Sequence, residues 1–166
     1  PQGKSDYTMR IYNSDGSEPE MCGNGIRCLA RFVADLDGKT DTDEIYNIHT
    51  LAGIIRPQLQ EGDKVKVNMG TPYLLAEEIP TTLAHPQEKV INQALTVAEQ
   101  TWQVTCVSMG NPHCITFVEN ADQINLEKIG PQFENHSVFP QRINTEFIEV
   151  VRQDYLKMRV WERGAG

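Results

Sequence analysis

Short runs of β-favouring residues, closed every few positions by glycine, proline or asparagine, dominate this sequence, and only two stretches carry a helical period. Residues 7–12 (YTMRIY) alternate and predict a strand ending at Asn13, followed by a turn at Ser14-Asp15-Gly16-Ser17. From Gly23 onward, Ile26, Leu29, Ala30, Val33 and Ala34, with Phe32 and Leu36, predict a helix that stops near Gly38. Segments 45–50 and 54–59 read as strands joined through Leu51-Ala52-Gly53, and 63–69 alternates until Gly70-Thr71-Pro72 breaks it. Further strands are predicted at 88–97, 101–109 and 113–118, with a break at Gly110-Asn111-Pro112. A short helix near 125–134 and strands near 144–151 and 155–161 complete the pattern. Between 73 and 87, Pro80 and Pro86 forbid one continuous helix. Many strands against two helices predict an α+β fold with mainly antiparallel pairing. Gly70-Thr71-Pro72 is the best candidate for a domain junction.

At 166 residues the chain accommodates one full domain or two small ones, and 39% hydrophobic residues supply a core. A net charge of −8 repels phosphate backbones and argues against nucleic acid as a partner. No stretch approaches the roughly 18 apolar residues of a membrane span, and no basic-then-apolar leader precedes the first strand. The cysteines are Cys22, Cys28, Cys106 and Cys114; with the histidines at 49, 85, 113 and 136 they form no regular metal-ligand spacing. Reduced thiols, no metal site and a cytoplasmic location are therefore expected. The chain starts at Pro1 without Met and stops inside the glycine-rich Gly164-Ala165-Gly166, which reads as a piece of a longer polypeptide cut at both ends.

Residues 13–28 (NSDGSEPEMCGNGIRC) carry the chemistry, because Cys22 falls where a loop becomes a helix. Gly23 and Gly25 let a ligand approach the backbone closely, and a helix start offers unpaired N–H groups and partial positive charge. Both favour a bound carboxylate and lower a thiol pKa from roughly 8.5 toward neutrality. Cys22 can then serve as a base for a carbon acid beside a carboxylate site. The competing reading is a small buried cysteine near a glycine-rich turn. Cys28, on the apolar side of the helix, reads as core, as do Cys106 and Cys114 in their strands; Arg27 and Arg142 read as structural.

MCGNGIRC, with Asn13 nine residues ahead of Cys22, is followed in order by MGNPH at 109–113, PQRIN at 140–144 and WERGAG at 161–166. This series resembles the diaminopimelate epimerase family. The resemblance implies an isomerase that interconverts LL- and meso-diaminopimelate for lysine and peptidoglycan precursors, without pyridoxal phosphate or metal. Two cysteines flank the α-carbon, one taking the proton as thiolate and the other returning it as thiol. Cys22 matches the first; the second belongs to an A-C-G-T-G motif beyond the last residue given, so this piece alone is expected to be inactive.

By the same resemblance, Cys22, His113 and Glu162 are catalytic, with Glu162 meeting the substrate ammonium and His113 helping to poise the thiols. Asn13, Asn111, Asn144 and Arg163 contact the substrate's amino-acid groups, and the amides of Gly23 and Asn24 hold the α-carboxylate. The implied fold has two pseudo-symmetric lobes of antiparallel strands, each round a central helix, with the active site in the cleft between. Residues 1–71 would form the first lobe without its opening strands. Residues 72–166 would form the second without its central helix, which makes the helix near 125–134 peripheral and leaves apolar strand faces uncovered. A small-molecule substrate is the implied partner, and a homodimer is compatible. Proline racemases and hydroxyproline epimerases usually show M-C-G-H-G where this chain has Cys22-Gly23-Asn24-Gly25. A non-catalytic thiol module would pair Cys22 with Cys28, but six helical residues separate them by about 9 Å along the axis, too far for an undistorted disulfide.

Overall fold

The computed structural model describes residues 4–39 and 43–165. The chain divides into two compact units, Pro1–Gly70 and Thr71–Gly166.

The first unit holds strands β1 (Tyr7–Thr8), β2 (Ile48–Thr50), β3 (Gly53–Ile55), β4 (Pro57–Leu59) and β5 (Val65–Val67), and helix α1 (Gly23–Asp37). β1 runs parallel to β2, β2 pairs antiparallel with β3, and β4 with β5. The strand expected over 7–12 is only two residues long. Its partner β2 turns over after Thr50, so beyond the Met9 N–H to His49 O bond of 2.9 Å the chain has no ladder to follow.

Helix α1 begins and ends where local chemistry dictates. Cys22 is its N-cap in an extended conformation, and Gly38 closes it at φ 65°, a left-handed position that favours glycine. Ile26, Ala30, Val33 and Ala34 are buried in one stripe against Tyr46, Ile48 and Leu59. Cys28 departs from expectation by being exposed, as are Phe32 (60%) and Leu36 (67%). These three lie roughly 140° round the helix from the buried stripe, and α1 packs on β4 and β5 through its other side.

The second unit is a five-stranded sheet in the order β10-β9-β8-β7-β6. Its strands are β6 (Gln93–Val97), β7 (Gln100–Ser108), β8 (Pro112–Phe117), β9 (Asn144–Arg152) and β10 (Tyr155–Trp161), with α2 (Leu126–Glu134) between β8 and β9. Neighbours are antiparallel except β8 and β9, which run parallel through the α2 crossover. β6 starts later than the expected residue 88 because Asn92 adopts φ 51° and breaks the extended run. The β6–β7 hairpin turns through Ala98 and Glu99, both at positive φ, matching the twist of a tight hairpin.

Instead of lying at the periphery, α2 delivers the fully buried Phe133 to the core. There Phe133, Trp102 and Phe147 meet edge to face, with centroids 5.5, 5.5 and 5.7 Å apart. On the opposite sheet face, alternation and pairing line up His113, Ile115 and Phe117 with Asn144, Glu146 and Ile148. Phe117, Val150, Leu156 and Met158 are exposed. The chain is thus α+β. No helix among the described residues is long and apolar enough to cross a membrane.

Candidate active site

In the first unit the site grows from the approach to α1. Met21 is buried, and Ala52 N–H donates to Glu20 O at 3.1 Å, anchoring the chain just before Cys22. The half-buried Cys22 Sγ accepts the Gly25 N–H at 3.3 Å. A Cβ on Gly25 would sit 3.4 Å from that sulfur and from Ile11 Cδ1, so glycine keeps the thiol's flank clear. Gly23 and Asn24 occupy the first helical positions, where N–H groups have no intrahelical acceptor. The Asn24 side chain turns away to accept from Arg27 Nη2, which gives Arg27 the structural role expected of it.

Asn13 forms the base of the preceding turn. Its N–H donates to Ser17 O at 2.8 Å, its carbonyl accepts from Gly16 N–H at 3.0 Å, and its Nδ2 donates to Ser17 Oγ at 3.1 Å. Gly16 supplies the φ of 80° the turn requires. Arg10 grips Glu18 with two parallel bonds of 2.9 and 2.8 Å, and hydrogen bonding to that guanidinium holds the Glu18 carboxyl below its ordinary range.

In the second unit, Gly110 at φ 96° makes the turn from β7 into β8 and brings Asn111 back onto His113. His113 Nε2 lies 3.0 Å from Asn111 Oδ1, and Nδ1 lies 2.6 Å from Glu146 Oε1. Asn144 is buried and ties two segments together: Nδ2 donates to Pro112 O at 2.8 Å, and Oδ1 accepts Arg163 N–H at 2.9 Å. Arg163 reaches Gln141 O at 3.2 Å, while Glu162 is exposed. Gly166, the last residue of WERGAG, lies outside the described residues.

Three contributors went unmarked in the sequence. Glu134, buried at the end of α2, accepts from Trp161 Nε1 at 2.7 Å, Gly164 N–H at 2.9 Å and Arg142 Nη1 at 3.1 Å. It thereby fixes the segment bearing Glu162 and Arg163. Gly130 makes room for the Trp161 ring. Glu146 backs His113. For Glu134 the available signal was a carboxylate next to Phe133 on the buried side of a helix, which burial must pair. Cys106 and Cys114 are buried cross-strand partners, as expected of core residues. Hydrogen bonding to Cys106 and then burial push the Cys114 thiol up, which keeps it protonated.

One unit caps a helix with a thiol, and the other carries His113 and Asn144 on adjacent strands with Arg163 just beyond the last one; both belong to an α+β protein. The diaminopimelate epimerase family model matches residues 1–75 and 105–166, and the chain belongs to that family. It is 68% identical over 167 residues to a diaminopimelate epimerase of Acaryochloris marina, covering 100% of this chain and 59% of that protein. Similar proteins of the same name occur in Nostoc punctiforme (70% identity, 98% of this chain, 58% of the relative) and Synechocystis (67%, 99% and 58%). The chain thus spans under two thirds of the length of these curated relatives. A Bacillus anthracis phenazine biosynthesis protein of the PhzF family matches at TM-score 0.52 and 20% identity, over 93% of this chain and 53% of that one. That likeness is one of fold.

Proposed function

We propose that the protein carrying this chain interconverts LL- and meso-diaminopimelate by proton transfer at one α-carbon, with Cys22 as one of two cysteine acid–bases. The observation that carries this is the half-buried Cys22 sulfur at the N-cap of α1, facing the Gly25 N–H at 3.3 Å. An amino-acid α-hydrogen is a very weak acid, so its removal needs charge stabilisation set in place beforehand. The amides of Gly23 and Asn24 serve the α-carboxylate as it takes on enolate character. Cys22 as thiolate takes the proton, and a thiol on the opposite face returns one, so the proton count balances without a cofactor.

Asn13, Asn111, Asn144 and Arg163 bind the amino-acid groups, much of this at the distal centre, where a full donor and acceptor pattern distinguishes LL from DD substrate. Glu162, exposed, meets the ammonium, and His113 acts with it to poise the thiols. Residues 1–71 and 72–166 are the two lobes of this enzyme, which works in the cytoplasm on a small molecule in lysine and peptidoglycan-precursor synthesis, with a homodimer as a compatible assembly.

The test is exchange in deuterated water. Incubated with LL-diaminopimelate, the protein carrying this chain should place deuterium at the α-carbon, and Cys22→Ala should abolish incorporation. Undiminished exchange in a folded Cys22→Ala protein would overturn the assignment.

A further inference from the structure

A buried carboxylate that the proposed reaction leaves unused stands behind His113. Glu146 is 8% exposed and lies two residues after Asn144 on β9. The parallel β8–β9 ladder sets His113 opposite Asn144 and Ile115 opposite Glu146. The approach of the two side chains is therefore fixed by sheet geometry and not by a loop. His113 Nδ1 and Glu146 Oε1 are 2.6 Å apart, the short spacing of a charge-assisted bond. The other carboxylate oxygen, Oε2, is buried with no hydrogen-bond partner among the described residues, so the side-chain hydrogen bond of this carboxylate there is the one to His113.

On the far edge of the ring, Nε2 meets Asn111 Oδ1 at 3.0 Å. The neighbour across on β7 is Val107, which brings no charge. Each ring nitrogen thus faces a hydrogen-bonding side chain, a carboxylate at Nδ1 and an amide at Nε2. An ionised carboxylate can only accept and so favours a proton on Nδ1, whereas the Asn111 amide can serve a bare or a protonated Nε2 by turning.

We propose that Glu146 is the positioning residue for His113, holding a proton on Nδ1 in both charge states so that only Nε2, beside Asn111, exchanges it. This rests on the reading of His113 as an active group in the proposed epimerisation.

Nitrogen-15 spectra of the imidazoles test the geometry directly. Neutral His113 should carry its proton on Nδ1, with a slowly exchanging downfield Hδ1 signal. Glu146→Leu should lose that signal and shift the ring toward the Nε2–H form that free imidazole favours. Glu146→Gln, which keeps an oxygen acceptor, should retain it. In the deuterium-exchange assay, Glu146→Leu should lower kcat about 10- to 100-fold, the scale known for carboxylates behind metal-bound histidines, with KM unchanged and Glu146→Gln recovering part of the loss.

A wild-type ring protonated on Nε2 with Nδ1 bare overturns the proposal without any variant, should Glu146→Leu fail to fold. An unchanged Hδ1 signal, or unchanged kcat, in folded Glu146→Leu also overturns it. Expected spectra in a wild-type protein that exchanges no α-hydrogen would instead sink the epimerase reading and leave the Glu146–His113 couple standing.

Discussion

Gly130→Ala should destabilise the second unit, although alanine is the better helix former. A Cβ at position 130 would lie 2.3, 2.4 and 2.6 Å from Cδ2, Cγ and Cε3 of Trp161. Carbon atoms pack at about 3.5–4.0 Å, so the ring must move by an ångström or more. It is not free to do so, because its Nε1 donates to the buried Glu134 at 2.7 Å. Overpacking of this kind costs about 1–3 kcal/mol, and losing a hydrogen bond to a charged group about 1.5–3 kcal/mol. Against these stands about 1 kcal/mol of helix propensity gained. The net loss is about 1.5–5 kcal/mol, worth at least about 6 °C in Tm for a unit of this size. Thermal unfolding followed by circular dichroism measures it. The diagnostic step is a second background: with Trp161→Ala the clash is gone, and Gly130→Ala should now stabilise. If the sign does not reverse between the two backgrounds, the packing argument is wrong.

Three further outcomes are expected. With Ellman's reagent, folded protein should show Cys22 and Cys28 reactive and Cys106 and Cys114 silent until unfolding; because Cys28 is exposed, faster iodoacetamide labelling of Cys22 would report reactivity and not access, and equal rates would count against a catalytic thiol. Asn144→Ala removes bonds to Pro112 O and Arg163 N–H and should cost about 1–3 kcal/mol in urea denaturation; a loss near zero would show that the tie is not needed. The Tyr7 hydroxyl donates to Asp37 at 2.8 Å, and that bond raises its pKa. The phenol's contribution is therefore full below its unfolded pKa of about 10 and fades as pH climbs through the higher folded value. Tyr7→Phe should show a weaker alkaline loss of stability, and an unchanged alkaline slope would refute the assignment.

How far the sequence could be read depended on how local each cause was. Both ends of α1 were legible, because a helix cap and a glycine at positive φ act within a few residues. The apolar positions of α1 were visible as well, but Cys28, Phe32 and Leu36 share the period of the buried stripe while lying on another side. Only the packing partner distinguishes the two. Strands at 7–12 and 63–69 were drawn too long, since alternation reports a capacity to pair and not the length of the partner. Cys22 and its glycines could be singled out for the same reason as the helix start they occupy. Glu146 meets a residue 33 positions away and Glu134 one 30 positions away, and in a linear string each resembles a solvated acid.

The parallel seam between β8 and β9 has a kinetic consequence. Every other pairing in that sheet joins chain neighbours through a short hairpin, whereas the seam must wait for the segment from Phe117 to Asn144 to close on itself. The meander of β6 to β8 and the ribbon of β9 and β10 should therefore assemble separately and zip together last. His113 and Glu146 sit on opposite banks of that join, so their couple comes into being only as folding finishes. Pulse-labelled hydrogen exchange would show amides along the join protected late, and early protection there would reverse the order.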